Sequence, residues 1–369
     1  MEATADRYMR RALELGAQAE GRTRPNPAVG AVVVADNQIV GEGFHPAAGQ
    51  PHAEVFALQA AAERAVNADL YVTLEPCSHQ GRTGPCTEVI IAAGIRRVFV
   101  GTQDPNPQVA GSGIRRLQQA GIQVAVGLRD KECRRLIAPF AKHVTTGLPF
   151  VILKSAVTLD GQTATSTGDS QWISNSRSRE EVHRLRDRVD AIMVGVGTVL
   201  HDDPKLTTRL PGGRDPLRIV VDSQLRTPPQ ATLLHLDSSA ETLIAHISTA
   251  SVERRDRLLE NRATLLKTAE SDGRVDLHDL LAQLGRRGVQ SVLLEGGAQL
   301  NAAFLKADLI DRMMIFVAPK VIGGNGGFGI FAGEGFARLA DAKQLQDIRF
   351  RQFGDDILIE GEVIRCLPA

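Results

Sequence analysis

The sequence predicts an α/β protein made of two domains. The chain has 369 residues, whereas single domains usually contain roughly 100–200. Short apolar strand-like runs alternate with single amphipathic helices along most of its length, which is typical of sheets covered by helices. Turn-forming residues interrupt this pattern at 145–149, where Pro149 blocks helix continuation. We therefore expect one domain over 1–146 and a second over 150–369.

The first domain is expected to be a three-layer α/β/α sandwich around a mixed, largely parallel sheet. The Val-rich run 28–35, a turn at Asp36-Asn37 and the run 39–44 predict an opening hairpin. The expected helices are 7–15, 53–64, 87–93, 113–120 and 131–142, and the further strands are 70–74, 98–101 and 123–126.

The second domain is expected to be another α/β unit. Its predicted strands are 150–157, 191–196, 218–222, 243–247, 291–295, 312–317 and 356–362, and its predicted helices are 177–188, 252–260, 277–284 and one that begins near Gln299. A Gly-rich loop at 323–329 separates the last two strands.

Composition excludes several classes of partner. The 43 basic and 43 acidic residues cancel, so nothing favours a nucleic-acid backbone as a ligand. No apolar run approaches the roughly 20 residues of a spanning helix, and the first residues lack the pattern of a secretory signal. We expect small-molecule ligands, no membrane and a cytoplasmic location.

The cysteines are too few for a disulfide framework in a chain of this length. They are Cys77, Cys86, Cys133 and Cys366. Cys133 and Cys366 have no motif around them and are expected to serve packing.

His52-Ala53-Glu54, Pro76-Cys77 and Pro85-Cys86 have the order of a zinc deaminase motif. Ligands His52, Cys77 and Cys86 would leave the fourth position of a tetrahedral Zn²⁺ for water, whose pKa falls towards about 7. Glu54 would carry protons without ligating the metal. One feature differs from the common motif, because eight residues separate the cysteines instead of two.

Five segments of the first half resemble the bifunctional riboflavin-biosynthesis deaminase-reductase family, in which this longer spacing is normal. They are Asn26-Pro27-Ala28-Val29-Gly30, Gly43-Phe44-His45, Pro51-His52-Ala53-Glu54, the stretch from Thr73 to Cys86, and Asp104-Pro105-Asn106-Pro107. The resemblance implies a cytidine-deaminase-like fold and a deaminase pocket lined by Asn26, His45, His79, Arg82, Asp104 and Asn106. For Asn26 and Asp104, each beside a proline, a turn role is an equal alternative.

The second half resembles the reductase domain of the same family, which is similar in fold to dihydrofolate reductase. The matching segments are 153–161, 168–173, 197–199, 202–204, 206–209 and 295–297. The resemblance implies that Ser170, Arg186, Leu206, Arg209 and Glu295 face the substrate. It also implies NADPH contacts at Ala156, Trp172, Thr198, Asp202, Ser223, Gly297, Ala298, Gln299, Leu300, Asn301, Ala302 and Ala303.

Several of these positions have a second interpretation. Glycines after a strand can cradle a phosphate at a helix N-terminus, or merely make a tight turn. Trp172 could belong to the core, Arg186 could be a surface residue, and Asp160-Gly161 reads as a turn. Asp222, at the end of a strand, would ordinarily favour NAD over NADP. Lys154 lies among apolar neighbours, and we expect it to protonate or orient the opened sugar during hydride transfer.

The resemblance implies zinc-dependent deamination of 2,5-diamino-6-(5-phosphoribosylamino)pyrimidin-4-one. NADPH-dependent reduction of the ribosyl group of the deaminated product follows, and the family also suggests a homodimer through the reductase domain. Two alternatives remain at this stage. The chain could deaminate other nucleosides or nucleic acids, or it could be a nucleotide-sensing regulator with a structural zinc site, although such sites usually have four protein ligands.

Overall fold

The computed structural model describes residues 2–79, 84–107, 109–324 and 328–364. The chain divides into two compact units, Met1–Gly147 and Leu148–Ala369. The division lies within 145–149, but the last helix of the first unit continues to Thr146, so only 147–149 connect the two units without helix. Within the described residues, no helix combines the length and the apolar character needed to cross a bilayer.

The first unit is a sheet with helices on both faces. Its helices are α1 (Glu2–Ala17), α2 (Ala53–Ala61), α3 (Cys86–Ala92), α4 (Ser112–Gln119), α5 (Asp130–Leu136) and α6 (Ala138–Thr146), and its strands are β1 (Gly30–Ala35), β2 (Gln38–Phe44), β3 (Asp69–Leu74), β4 (Arg97–Thr102) and β5 (Gln123–Val126). The strand order is β2-β1-β3-β4-β5. β1 is antiparallel to β2 and β3, and the pairs β3–β4 and β4–β5 are parallel.

Alternate strand residues face two separate apolar cores, because successive side chains point to opposite faces of a sheet. Leu70 and Val72 pack with α2, α3 and α4 on one face. Tyr71 packs with α1 and Cys133 of α5 on the other. This is the expected three-layer α/β/α arrangement, and the packing role expected for Cys133 is confirmed.

Gly43 lets α2 approach the sheet closely. A Cβ atom at Gly43 would lie 2.4 Å from the carbonyl oxygen of Ala53, far inside van der Waals contact. The first turn of α2 therefore rests directly on β2. This contact fixes the position of His52 and Glu54 relative to the sheet.

The second unit contains a larger, mainly parallel sheet. Its helices are α7 (Ser176–Arg188), α8 (Val196–Asp202), α9 (Val252–Glu260), α10 (Leu277–Arg286) and α11 (Ala298–Lys306), and its strands are β6 (Phe150–Thr158), β7 (Ala191–Gly195), β8 (Leu217–Val221), β9 (Thr242–His246), β10 (Thr264–Lys267), β11 (Glu270–Ser271), β12 (Arg274–Val275), β13 (Ser291–Leu294), β14 (Arg312–Ala318), β15 (Leu345–Phe353) and β16 (Asp356–Val363).

The main sheet of this unit has the order β10-β9-β8-β7-β13-β6-β14-β16-β15. Its pairs are parallel from β10 to β14, and β16 pairs antiparallel with both β14 and β15. Ala191 and Met193 face the core under α10 and α11. Ile192 and Val194 face the core that includes Leu258 of α9. Helices therefore cover both faces of the parallel part.

Some elements differ from the sequence prediction. The helix expected over 131–142 is wrong as a single element, because α5 ends at Leu136 and α6 begins at Ala138. Pro139 lacks an N–H group and clashes with the preceding turn, but it is tolerated at the start of a new helix. Three further elements, α8, β10 and β15, were not predicted from the sequence. β15 is exposed along almost its whole length, so it lacks the one-sided apolar alternation that identifies a strand.

Candidate active sites

The three predicted metal ligands meet at one end of the first sheet. His52 precedes α2, Cys77 follows β3, and Cys86 is the first residue of α3. His52 Nδ1 lies 3.1 Å from Cys86 Sγ and 3.6 Å from Cys77 Sγ. All three ligand atoms lie within 4.8 Å of one another. Tetrahedral zinc, with bonds of about 2.0–2.3 Å, holds its ligand atoms roughly 3.5 Å apart, so this donor set fits zinc.

The two thiols of this cluster share a hydrogen bond that shifts their pKa values in opposite directions. The hydrogen bond from the Cys86 thiol, assisted by His52, lowers the pKa of Cys77 to about 4. The same bond and burial raise the pKa of the Cys86 thiol. One thiolate therefore forms readily, and the thiolate is the form that binds metal.

Glu54 lies beneath the cluster in the first turn of α2. Its side chain is almost fully buried, with the residue 3% exposed. Burial, followed by the charge of Cys77, raises the pKa of Glu54. A carboxyl group in this position can hold and return a proton beside the metal site.

Asn26 and His45 form a second layer beside His52. Asn26 Nδ2 lies 3.1 Å from His45 Nε2, and His45 Nδ1 lies 3.0 Å from the carbonyl oxygen of Pro51. The two contacts are compatible if Nδ1 carries the proton and Nε2 accepts. Burial lowers the pKa of His45, which favours the neutral ring. It packs edge-on against the ring of His52.

The loop after β4 brings Asp104 to the same end of the sheet. Its carboxylate accepts a hydrogen bond from the backbone N–H of Asn106, which is the turn role considered for this residue. Burial first, and then the nearby charges of Glu75 and Cys77, raise the pKa of Asp104, while His79 opposes this effect. His79 is exposed. Arg82, also expected in this pocket, lies outside the described residues.

In the second unit, Lys154, Arg186 and Glu295 form a nearly buried charge cluster. The parallel register pairs Leu294 with Leu153, so the next residues, Glu295 and Lys154, are neighbours. Two nitrogens of Arg186 donate to the Glu295 carboxylate at 2.8 and 3.0 Å. Lys154 Nζ lies 3.9 Å from the same carboxylate. Arg186 is therefore not a surface residue.

This cluster lowers the pKa values of both Glu295 and Lys154, which favours the charged carboxylate but the neutral amine. Burial opposes the charge on Glu295, but Arg186 and Lys154 outweigh it and lower the pKa of Glu295 to about 2. Burial also lowers the pKa of Lys154, and the attraction of Glu295 only partly offsets this effect. An ammonium with a lowered pKa releases its proton more readily.

The other residues predicted to contact the substrate, Ser170, Leu206 and Arg209, differ in their surroundings. Arg209 is exposed, and its charge and that of Arg186 lower the pKa of His183 after burial. Leu206 is buried in the apolar core around Val199, so only its backbone could meet a ligand. Ser170 is half-buried.

Trp172 is not a core residue, because it is 59% exposed. The Arg179 guanidinium lies over its ring at 4.6 Å, and Lys320 Nζ donates to its carbonyl oxygen at 2.5 Å. The indole face is thereby held at the surface. The contacts of Arg179 and Lys320 with Trp172 were not predicted, because no local sequence pattern connects either residue to Trp172.

The segment after β13 offers backbone amides at the start of α11. Gly297 precedes the helix in extended conformation, and a Cβ atom there would meet only Thr198 Oγ1, at 3.6 Å. Gly297, Ala298 and Gln299 thus supply the amide end of the helix, which favours an anion. Asn301 offers no free amide, because its backbone N–H donates to the carbonyl oxygen of Gly297 at 3.1 Å, and its buried side chain donates to the carbonyl oxygen of Ile330.

The other residues predicted to contact NADPH lie in several different strands, helices and loops. Asp202 is exposed, and Ala156, Thr198, Ala302 and Ala303 are half-buried. Ser223 accepts a hydrogen bond from the backbone N–H of Val275. Asp222 is fully buried, and its carboxylate accepts from Thr227. Asp222 therefore cannot accept hydrogen bonds from the ribose hydroxyls of a dinucleotide. The expectation that this residue favours NAD over NADP is wrong.

Asp160 does more than close a turn. It accepts a hydrogen bond from Thr158 Oγ1, and also from the backbone N–H groups of Ile322 and Gly323. It thus ties the loop after β6 to the loop after β14. The Asp-Gly pair revealed the turn, but not this second attachment.

Both halves of the chain match known families. Residues 2–102 match the cytidine and deoxycytidylate deaminase zinc-binding region, and residues 149–359 match the RibD C-terminal domain. The riboflavin biosynthesis protein RibD of Bacillus amyloliquefaciens is 44% identical over 351 residues, which is 95% of this chain and 94% of that protein. The chain belongs to the RibD family.

Solved RibD structures extend the similarity over the whole chain. Acinetobacter baumannii RibD is 36% identical with a TM-score of 0.84, covering 99% of this chain and 100% of that one. A Thermotoga maritima diaminohydroxyphosphoribosylaminopyrimidine deaminase/5-amino-6-(5-phosphoribosylamino)uracil reductase is 36% identical with a TM-score of 0.83, covering 98% and 99%. The predicted two-part α/β fold, cytidine-deaminase-like and then dihydrofolate-reductase-like, is confirmed. RibD proteins are bifunctional enzymes of riboflavin biosynthesis with a zinc-binding deaminase domain and a reductase domain.

We predict that Glu295→Gln removes an acid-sensitive part of the protein's stability. The folded-state pKa of Glu295 lies below its unfolded value, near 4.5, so its contribution is complete above that pH and is lost as the pH falls towards 2. The contribution is about 3 kcal/mol above pH 5. Urea unfolding followed by circular dichroism should show a wild-type advantage at pH 7 that shrinks below pH 4.5.

Glu253→Gln is the matched control, because Glu253 forms an exposed ion pair with Arg257 and such pairs contribute little. Its unfolding free energy should track the wild type at each pH. A Glu295→Gln deficit that is equal at pH 7 and pH 3 would contradict the interpretation.

Proposed function

We propose that this chain deaminates 2,5-diamino-6-(5-phosphoribosylamino)pyrimidin-4-one and then reduces the ribosyl group of 5-amino-6-(5-phosphoribosylamino)uracil to ribityl with NADPH. The observation that carries the proposal is the His52–Cys77–Cys86 cluster with Glu54 buried beneath it. It is supported by the Thermotoga maritima relative, a deaminase/reductase that aligns over nearly the full chain.

In the deaminase reaction, water adds to the ring carbon, the C–N bond breaks and ammonia leaves. Zinc, when bound, supplies a Lewis acid that makes a water nucleophilic at neutral pH. We assign to Glu54 the transfer of the water proton to the ring nitrogen and then to the departing ammonia. Asn26, His45, His79, Arg82, Asp104 and Asn106 are the proposed substrate contacts.

In the reductase reaction, we assign proton handling to Lys154. NADPH, when bound, supplies the hydride for the ribose anomeric carbon. Lys154 has a lowered pKa and lies 3.9 Å from Glu295, so it can give a proton to the opening sugar and be reprotonated from solvent. Arg186 orients Glu295, which we place against the substrate with Ser170, Leu206 and Arg209.

The cofactor assignments complete the proposal. The first-turn amides of Gly297, Ala298, Gln299 and Leu300 would receive a phosphate of NADPH at the start of α11, and Asn301, Ala302, Ala303, Ala156, Trp172, Thr198, Asp202 and Ser223 would hold the rest. We assign the deaminase to residues 1–146 and the reductase to 150–369, in the cytoplasm, where NADPH and phosphorylated intermediates are available.

Glu54→Gln tests the proposal directly. We predict that ammonia release from the diaminopyrimidinone falls at least about 100-fold, because proton transfer usually contributes that much or more. Zinc content, measured by mass spectrometry, should stay at the wild-type level. NADPH oxidation should return when the already deaminated substrate is supplied.

Glu63→Gln is the matched control, since Glu63 is an exposed residue just after α2, and it should release ammonia at the wild-type rate. A wild-type protein that holds zinc but releases no ammonia would exclude the deaminase. That result would favour a structural zinc site in a regulator.

We also propose that the reductase units of two copies form a homodimer. β15 is an edge strand with nearly all its residues exposed. Phe350 of β15 pairs with Ile359 of β16, which pairs with Ile315 of β14, so the three side chains form an apolar row on one face. Phe350 is 68% exposed. A second copy can cover such a row symmetrically and also pair with the open edge.

We predict that Phe350→Glu converts a dimer into a monomer, because it places a charge in the row at its exposed end on the edge strand. Light scattering after size-exclusion chromatography measures the mass. Leu339→Glu is the control, since Leu339 is 91% exposed but lies outside β14, β15 and β16. A wild-type monomer, or a dimer that survives Phe350→Glu, would contradict this proposal.

A further inference from the structure

Glu75 is a buried carboxylate that the reaction scheme leaves without a role. It follows the last residue of β3 and is only 5% exposed. A carboxylate in such a place is costly unless hydrogen bonds replace its water. Glu75 accepts four, all from backbone N–H groups.

These four donors belong to one segment, the loop after β4 and the first turn of α4. Oε2 of Glu75 accepts from Asp104 at 3.1 Å and from Gly111 at 2.9 Å. Oε1 accepts from Gly113 at 2.9 Å and from Ile114 at 3.2 Å. A single side chain thus fixes both ends of the loop that carries Asp104 and Asn106.

The start of α4 is capped by Glu75 rather than by the residue that precedes the helix. The residue that precedes α4 is Gly111, which has no side chain to cap the helix, so the free amides of the first turn need an acceptor from elsewhere. Glu75 supplies it from 36 residues earlier in the sequence. Capping of α4 is thereby coupled to the strand that leads into the metal site.

The start of α4 also touches the residues that flank Cys77. A Cβ atom at Gly113 would lie 1.9 Å from the carbonyl oxygen of Pro76, so only glycine permits this approach. Ser78 Oγ donates to Ser112 Oγ at 2.8 Å. The segment with the metal ligand and the segment with the proposed substrate contacts therefore form one packed unit around Glu75.

We propose that Glu75 is a positioning residue of the deaminase, which holds Asp104 and Asn106 at the distance from the metal ligands that substrate binding requires. The inference rests on the proposed function, because Asp104 and Asn106 are assigned to the substrate only there. Glu75 itself does not touch the substrate. It acts by orienting the loop, so its loss weakens binding more than it changes the metal site.

Glu75→Gln tests this role, because the amide NH₂ group replaces one acceptor oxygen and faces two N–H donors. The experiment measures the dissociation constant of the diaminopyrimidinone substrate by calorimetry in a Glu54→Gln background, which binds without turnover. We expect binding about tenfold weaker or more, as for a buried donor left without a partner. Zinc content and NADPH oxidation with the deaminated substrate should remain at the level of the Glu54→Gln parent.

Glu88→Gln is the matched control. Glu88 of α3 also binds α4, through both oxygens to Arg116, but on the exposed side. It should leave the dissociation constant unchanged. Equal constants for Glu75→Gln and Glu88→Gln would overturn the positioning role, and so would loss of zinc and binding together in Glu75→Gln, since that pattern indicates a general structural role.

Glu75→Asp covers the case in which Glu75→Gln does not fold. It keeps both acceptor oxygens but withdraws them by one methylene, so substrate binding should weaken by a smaller factor with zinc retained. An unchanged constant would overturn the inference. Ammonia release by the wild type tests the proposed function separately, because that reaction can be present while Glu75 proves unimportant.

Discussion

The first unit depends on bringing three ligand atoms from separate elements within 4.8 Å. The end of β3 delivers Cys77, while α2 and α3 present His52 and Cys86 at their first turns. α2 rests against Gly43 of β2, and this contact sets the height of His52 above the sheet. Glu54 lies in the first turn of the same helix. The contact at Gly43 therefore supports both the candidate metal ligand and the residue proposed to carry the proton.

In the second unit, the described residues form a charge cluster rather than a group of metal ligands. Parallel pairing of β13 with β6 places Glu295 beside Lys154, and α7 adds Arg186. A nearly buried carboxylate between two cations remains ionised, whereas the lysine is pushed towards neutrality. Glu295 follows the carboxyl end of β13, the side of an open α/β sheet at which ligands bind, and the segment after it leads directly into the amide end of α11.

Features that depend on residues close together in the sequence could mostly be predicted. Val-rich runs, the Asp36-Asn37 turn and the spacing of His52, Glu54, Cys77 and Cys86 identified the strands, the hairpin and the metal ligands. Contacts between distant residues could not be predicted in this way. The bond from Arg186 to Glu295 spans 109 positions, and the capping of α4 by Glu75 spans 36. Trp172 and Asp222 were ambiguous because burial is a property of the fold, and β15 was missed because neither of its faces is buried in this unit.

We propose that one chain carries two chemical sites and that only the first of them needs a metal. Removal of zinc by a chelator, followed by parallel assays of ammonia release and of NADPH oxidation with pre-deaminated substrate, tests this most directly. We expect ammonia release to disappear and to return when zinc is added, while NADPH oxidation continues throughout. The two-site proposal is wrong if ammonia release persists in the metal-free protein, or if NADPH oxidation is lost when zinc is removed.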